Sequence, residues 1–301
     1  MTGEYDRSHD NFVMLLTVRL DPAGVNARIM HGSRAPILDT PRKRWPYRLA
    51  ITGGVLAAVL IGIFYRATYF DRDPYVQVAA TAPGRGIAAL YFSGDMGLNF
   101  GIGATSADAL AGAGISVTGF NTPVAFRTRR TAAETNRIVA AAVRHALAAS
   151  PADRLVLIGR SFGADVLAAS LPALPAELRR RIAAIVLVVP GRDVFFRTDP
   201  SNITYLGTPD SDGRRDIRAI TWAPLTCIHG ADETESACDG ATQSNATDVA
   251  MPGGHFLKFD TDAIVRNIML AIDRATGTVG AKPSPLARTG VGASGLTRAA
   301  A

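Results

Sequence analysis

Between residues 86 and 253 the chain alternates two kinds of pattern. Short apolar runs, each ended by Gly, Pro or a polar cluster, are separated by longer stretches whose apolar positions recur at helical spacing. The short runs are Gly86–Gly94 (GIAALYFSG), Ile115–Phe120, Arg154–Gly159 (RLVLIG), Ile182–Pro190 (IAAIVLVVP), Ala223–Gly230 (APLTCIHG) and Ala246–Gly253 (ATDVAMPG). Their apolar residues do not alternate with polar ones. A strand in a parallel sheet has both faces covered, so it can be apolar throughout. The helical stretches are Thr105–Gly114, Thr131–Ser150, the segment after Ser161, and Thr261–Ala275. In the second, Thr131 and Glu134 stand at capping-box spacing, and Ile138, Val139, Ala142, Val143, Ala146 and Leu147 share one face. The pattern predicts an α/β domain over 86–275, with about six parallel strands and helices on both faces. Between Phe195 and Trp222 it lapses into polar, Arg- and Asp-rich sequence. That stretch is read as an insertion over the carboxyl edge of the sheet, where ligand sites form in such folds.

The N-terminal region follows a different pattern. Leu49–Tyr65 is 17 residues without a charge, at the short end of what spans a bilayer. Arg42, Lys43, Arg44 and Arg48 precede it, and Trp45, Tyr47, Tyr65, Tyr69 and Phe70 flank it. This predicts a signal anchor over 42–66, with residues 1–41 a flexible cytoplasmic tail and the rest outside the inner membrane. A buried core helix and a cleaved signal peptide are the alternatives. The only nearby A-x-A site, Ala80-Thr81-Ala82, lies far beyond the apolar run. Met30 is an alternative start. Residues 67–85 read as a linker, and 276–301, rich in Gly, Ala, Ser and Pro, as a disordered tail.

Charge narrows the function classes. The formal net charge of +6 divides into +4 over residues 1–66, −1 over 67–272 and +3 over 273–301. The folded body carries no basic excess, which argues against a nucleic-acid partner. Two cysteines and scattered histidines give no metal-ligand spacing, and no cofactor or metal is expected. Cys227 and Cys238, with ten residues between them, form a disulfide if the domain is exported, with two free thiols as the alternative.

The candidate chemistry lies in Gly159-Arg160-Ser161-Phe162-Gly163. This is a G-x-S-x-G pattern between a strand and a helix, the setting in which a serine is held out as a nucleophile in α/β-hydrolase folds. A plain serine helix cap is the alternative. A serine nucleophile needs a base, and of the five histidines only His255 follows the last strand and precedes the last helix. The imidazole in turn needs a carboxylate. Asp232, Glu233 and Glu235 follow the strand ending at Gly230. Asp232 ranks first as the acid, two residues past the glycine, and Glu235 second. The oxyanion donors expected are the backbone N–H of Phe162 and, from the loop Ser93–Gly97, that of Asp95 with Met96 next. Arg160 and Met96 are candidates for the substrate pocket.

The segments YFSGDMG, RLVLIGRSFGADVL, LVVPGR, CIHGADETESAC and PGGHF resemble, in order, those of the AcvB/VirJ-type bacterial virulence proteins, over most of Gly86–Asp273. The resemblance implies an exported α/β hydrolase acting on aminoacylated phosphatidylglycerol, above all the lysyl form. It supports Ser161 and His255 and leaves Asp232 and Glu235 open as the acid. Arg160 departs from the aromatic residue frequent at that place in the family, and a basic residue there suits an anionic phosphate better than a lysyl ammonium. Other readings are a general lipase or esterase on another small ester or phospholipid, and a non-catalytic periplasmic scaffold bound to envelope proteins.

Overall fold

The computed structural model describes residues 45–66, 69–99, 101–198 and 204–277. The tail expected over 1–41 and nearly all of the one expected over 276–301 lie outside the described residues. The chain divides into two units between Leu49 and Ala50, and only the opening turn of helix α1 (Trp45–Arg66) is described in the first.

The second unit is built on a seven-stranded sheet. In chain order its strands are β1 (Tyr75–Val78), β2 (Ile87–Phe92), β3 (Ser116–Phe120), β4 (Arg154–Arg160), β5 (Ile182–Val188), β8 (Leu225–Gly230) and β9 (Ala246–Met251). A separate ribbon pairs β6 (Asp193–Val194) with β7 (Ser211–Asp212). The spatial order is β1-β3-β2-β4-β5-β8-β9. All six expected strands are present and mutually parallel. The seventh, β1, runs antiparallel to β3 at the edge, within what the sequence presents as a linker.

Successive side chains of a strand point to opposite faces, and here both faces are apolar. Ala88, Leu90, Phe92, Leu155, Leu157, Ile185 and Leu187 face the layer of α4 (Ala132–Ala148) and α5 (Phe162–Ser170). Ala89, Tyr91, Val156, Ile158, Val186 and Val188 face that of α2 (Gly101–Gly112) and α8 (Thr261–Thr276). Three short helices, α3 (Thr122–Ala125), α6 (Ala176–Arg179) and α7 (Gly213–Arg218), complete the set. The capping box at Thr131 and Glu134 forms as expected. The expected insertion contributes a short turn at Thr204–Leu206, α7, and β7, which pairs with β6 just ahead of it.

Helix α1 covers the charge-free stretch and exposes Leu49, Ile51, Val55, Leu56, Val59 and Ile61. Among the described residues no helix is long and apolar enough to cross a membrane. The expected spanning anchor is therefore not supported as a span.

Candidate active site

Ser161 lies between the end of β4 and the start of α5 with φ 51° and ψ −127°. Non-glycine residues seldom adopt such angles, and the surrounding structure must enforce them. Two glycines make the turn possible. A Cβ on Gly159 would lie 2.6 Å from the Gly163 carbonyl oxygen, and one on Gly163 would lie 2.4 Å from the carbonyl oxygens of Phe92 and Ser93. The Ser161 N–H donates to Val188 O on β5 at 2.8 Å, which ties the turn to the neighbouring strand. The hydroxyl is thus presented at the carboxyl edge of the sheet.

His255 follows β9, and its Nε2 lies 2.9 Å from Ser161 Oγ across 94 residues of sequence. Its Nδ1 lies 2.6 Å from Glu233 Oε1. With the proton on Nδ1 donated to Glu233, Nε2 is left to accept from the serine hydroxyl. The carboxylate that meets His255 is therefore Glu233, where the sequence pointed to Asp232 or Glu235. The chain turns back after β8, with the Glu233 N–H donating to Gly230 O at 3.0 Å. That turn points Glu233 inward, where its side chain is only 8% exposed, and leaves Asp232 outside. The Asp232 N–H instead donates to Gly253 O at 3.0 Å, joining the acid loop to the histidine loop. Glu235 is exposed and forms an ion pair with Arg192. The Cys227–Cys238 disulfide forms, with a Cα–Cα distance of 5.5 Å, and closes the loop that carries Glu233.

The expected oxyanion donors lie on two segments beside Ser161. Phe162 opens α5, where backbone N–H groups lack intrahelical acceptors. The other side is the turn closed by the Gly97 N–H donating to Gly94 O at 3.0 Å, with Asp95 and Met96 at its tip. A buried polar buckle holds that turn. The Thr122 N–H donates to Ser93 Oγ at 3.0 Å, the Thr122 hydroxyl to Ser93 O and Gly94 O at 3.1 Å, and the Leu98 N–H to Asn121 Oδ1 at 2.8 Å. Sequence reasoning passed over Ser93, Asn121 and Thr122. Their signal was polar residues at two adjacent strand ends. Arg160 is partly buried beside the nucleophile, and Met96 is 39% exposed. Tyr205, from the insertion, donates its hydroxyl to Asp95 Oδ1 at 3.0 Å.

Asp165 lies one turn into α5, and its Oδ1 accepts from the Gly191 N–H at 2.7 Å. Burial pushes its carboxyl well above the usual carboxylate range. The Gly191 N–H opposes this, and the charges of Asp95 and Glu233 add to it. Two other histidines have structural settings. His229 lies 3.0 Å from Gly230 O and 3.2 Å from Asp248, and the exposed ring of His145 stacks on Tyr75 at 3.6 Å. Aromatic side chains border His255. Phe256 meets the His255 ring edge-on at 5.7 Å and stacks on Phe259 at 5.3 Å, and both phenylalanines are more than half exposed. A cavity of about 480 Å³ lies at the opposite, amino-terminal edge of the sheet, between Ile87, Ser116 and Ala152, and no titratable side chain lines it.

Comparison with known proteins agrees with this architecture. A family model described as bacterial virulence protein (VirJ) matches residues 86–276. No curated protein matches. Among solved structures, a 2,6-dihydroxy-pseudo-oxynicotine hydrolase is 14% identical with TM-score 0.51, covering 68% of this chain and 65% of that one. MenH from S. aureus is 9% identical with TM-score 0.50, covering 67% and 98%. At such identities the likeness is one of fold, that of the α/β hydrolases.

Proposed function

Because the chain belongs to the VirJ bacterial virulence protein family, and because one hydrogen-bonded line joins Ser161, His255 and Glu233, we propose that it is a serine hydrolase of carboxylic esters. That line of side chains is the observation that carries the reading. Ser161 Oγ attacks the ester carbonyl while His255 Nε2 takes its proton, and Glu233 stabilises the imidazolium that forms. The oxyanion is held by the N–H groups of Phe162 and Asp95. His255 returns the proton to the departing alcohol, leaving Ser161 acylated. Water, deprotonated by His255, then releases the acid and restores the hydroxyl.

The substrate proposed is the aminoacyl ester of an aminoacyl-phosphatidylglycerol. It draws on the family, on Arg160 beside the nucleophile, and on the exposed Phe256–Phe259 pair, which suits an apolar lipid part. We also propose that α1 holds the domain at the outer face of the inner membrane. Its exposed apolar side chains support this, as does the basic cluster Arg42–Arg44, and the disulfide suits an oxidising compartment. The 17 uncharged residues Leu49–Tyr65 add to this support.

The test is to incubate the full chain with lysyl-, alanyl- and unmodified phosphatidylglycerol and with a nitrophenyl ester, against Ser161→Ala. Serine-dependent release of an amino acid is expected. Cleavage of the simple ester alone would discard the lipid substrate. Absence of both turnover and fluorophosphonate labelling would discard the hydrolase. Protease accessibility in intact cells and in spheroplasts tests the location.

A further inference from the structure

Arg160 ends β4, one residue before Ser161. Its Nε is buried and has no hydrogen-bond partner, and among the described residues no carboxylate pairs with its guanidinium. Buried cations are normally paired, because leaving water without a partner is costly. The acidic groups of the site are engaged elsewhere. Glu233 holds His255, Asp165 accepts from Gly191, and Asp95 accepts from Tyr205. The guanidinium also has a defined direction. Its Nη1 lies 3.7 Å from the place a Cβ on Gly94 would occupy, and Ser161 Cβ lies 3.5 Å from that same place. Guanidinium and nucleophile therefore flank one spot beside the oxyanion turn. The buried Tyr91 hydroxyl lies near the guanidinium: burial pushes this phenol up, and the Arg160 charge and the Ser106 hydroxyl oppose that.

We propose that Arg160 binds an anionic phosphodiester, the headgroup phosphate of a glycerophospholipid whose acyl ester is seated on Ser161. This deepens, and rests on, the ester-hydrolase reading above. A guanidinium offers paired N–H donors that match phosphate oxygens. A phosphodiester keeps its negative charge throughout the range in which enzymes work. In an aminoacylated phosphatidylglycerol the phosphate is separated from the aminoacyl ester by a single glycerol. The two groups can then lie together as Arg160 and Ser161 do. The anion would supply the counter-charge that the protein alone does not give Arg160.

The test uses the full chain and two matched substrates, lysyl-phosphatidylglycerol and the lysyl ester of an uncharged glycerol ether lipid, in the same detergent micelles. Arg160→Met is expected to lower kcat/KM on the phosphate-bearing ester by about 10–100-fold, mainly through KM, as for loss of a charge-assisted hydrogen bond. The loss on the uncharged ester is at least tenfold smaller, and Arg160→Lys recovers part of the affinity. Equal losses on both esters would overturn the proposal and leave Arg160 a support for the Ser161 turn. A second measurement does not need turnover. Calorimetric titration of the Ser161→Ala chain with glycerophosphoglycerol should show binding that the added Arg160→Met removes. Binding undiminished by that change, or binding of inorganic phosphate alone, would overturn the assignment. If wild type cleaves neither ester while headgroup binding still depends on Arg160, the hydrolase reading fails and the subsite stands.

Discussion

Replacing Glu233 by Gln tests the identity of the acid, because the three carboxylates of the acid loop differ sharply in setting. Glu233 is buried and 2.6 Å from His255 Nδ1, Asp232 is exposed, and Glu235 pairs with Arg192 at the surface. In the transition state His255 carries a full positive charge. A carboxylate about 4 Å from it between charge centres is worth about 4 kcal/mol at an effective dielectric near 20. That corresponds to about a thousandfold in rate. Glutamine removes the charge and also lets the ring take the wrong tautomer, a combination that costs about 10⁴-fold in serine proteases. Glu233→Gln is thus expected to lower kcat/KM on a nitrophenyl ester by about 10³–10⁴-fold, with circular dichroism unchanged. Asp232→Asn and Glu235→Gln are expected to stay within about tenfold of wild type, since exposed charges contribute about 0–1 kcal/mol. A Glu233→Gln enzyme within tenfold of wild type, beside an Asp232→Asn enzyme down a thousandfold, would refute the assignment.

Two further outcomes follow from the supports of the site. Removing the disulfide with Cys227→Ala and Cys238→Ala reopens a loop of ten intervening residues, which by loop entropy costs about 2.5–3 kcal/mol. The melting temperature should fall by about 6–10 °C on that basis, and an unchanged melting curve would show that the loop is held without it. For Asp165, burial holds the folded carboxyl well above its ordinary value, so the folded chain retains a proton that the unfolded chain has released. Stability from this group is full below the unfolded pKa and declines as pH rises above about 4. Asp165→Asn keeps an acceptor for the Gly191 N–H without the titration. It should melt higher than wild type at pH 7 by differential scanning calorimetry, with the gap closing towards pH 3. A gap that widens on acidification would contradict the sign.

The parts of the molecule legible in the sequence are those fixed by burial or by local spacing. Five of the six parallel strands stand out because both faces of each are covered, so no polar residue interrupts Leu155–Ile158 or Ile182–Val188, whereas β9 lies at the edge and is largely exposed. Strand β1 is missed because it is four residues long, half-exposed and at an edge, so nothing demands an apolar run there. Ser161 is legible because its turn requires glycines two residues to either side, and His255 because it is the one histidine between the last strand and the last helix. Glu233 is not legible by counting from Gly230. The turn that folds it inward is set by the hydrogen bond from its own N–H to Gly230 O and by the tie from Asp232 to Gly253, which exist only once β8 and β9 are paired. The buckle of Ser93, Asn121 and Thr122 likewise depends on β2 and β3 ending side by side.

These ties divide the site into two mechanical parts. The Ala231 N–H donates to Met251 O at 2.7 Å and the Asp232 N–H to Gly253 O at 3.0 Å, so acid loop and histidine loop are one backbone assembly. The disulfide and the pairing of Gly191 with Ser236 fasten that assembly from the acid side. Ser161 belongs to the other part, fixed by its turn, by Val188 and by the helix it begins. Between the two parts, the 2.9 Å contact of Ser161 Oγ with His255 Nε2 joins the side chains that exchange the proton. Loosening the acid loop therefore moves Glu233 and His255 together. It lengthens the contact that activates the nucleophile while leaving the nucleophile's own geometry intact. Loss of the disulfide is accordingly expected to slow fluorophosphonate labelling, which depends on that contact, before it disturbs the turn that carries Ser161.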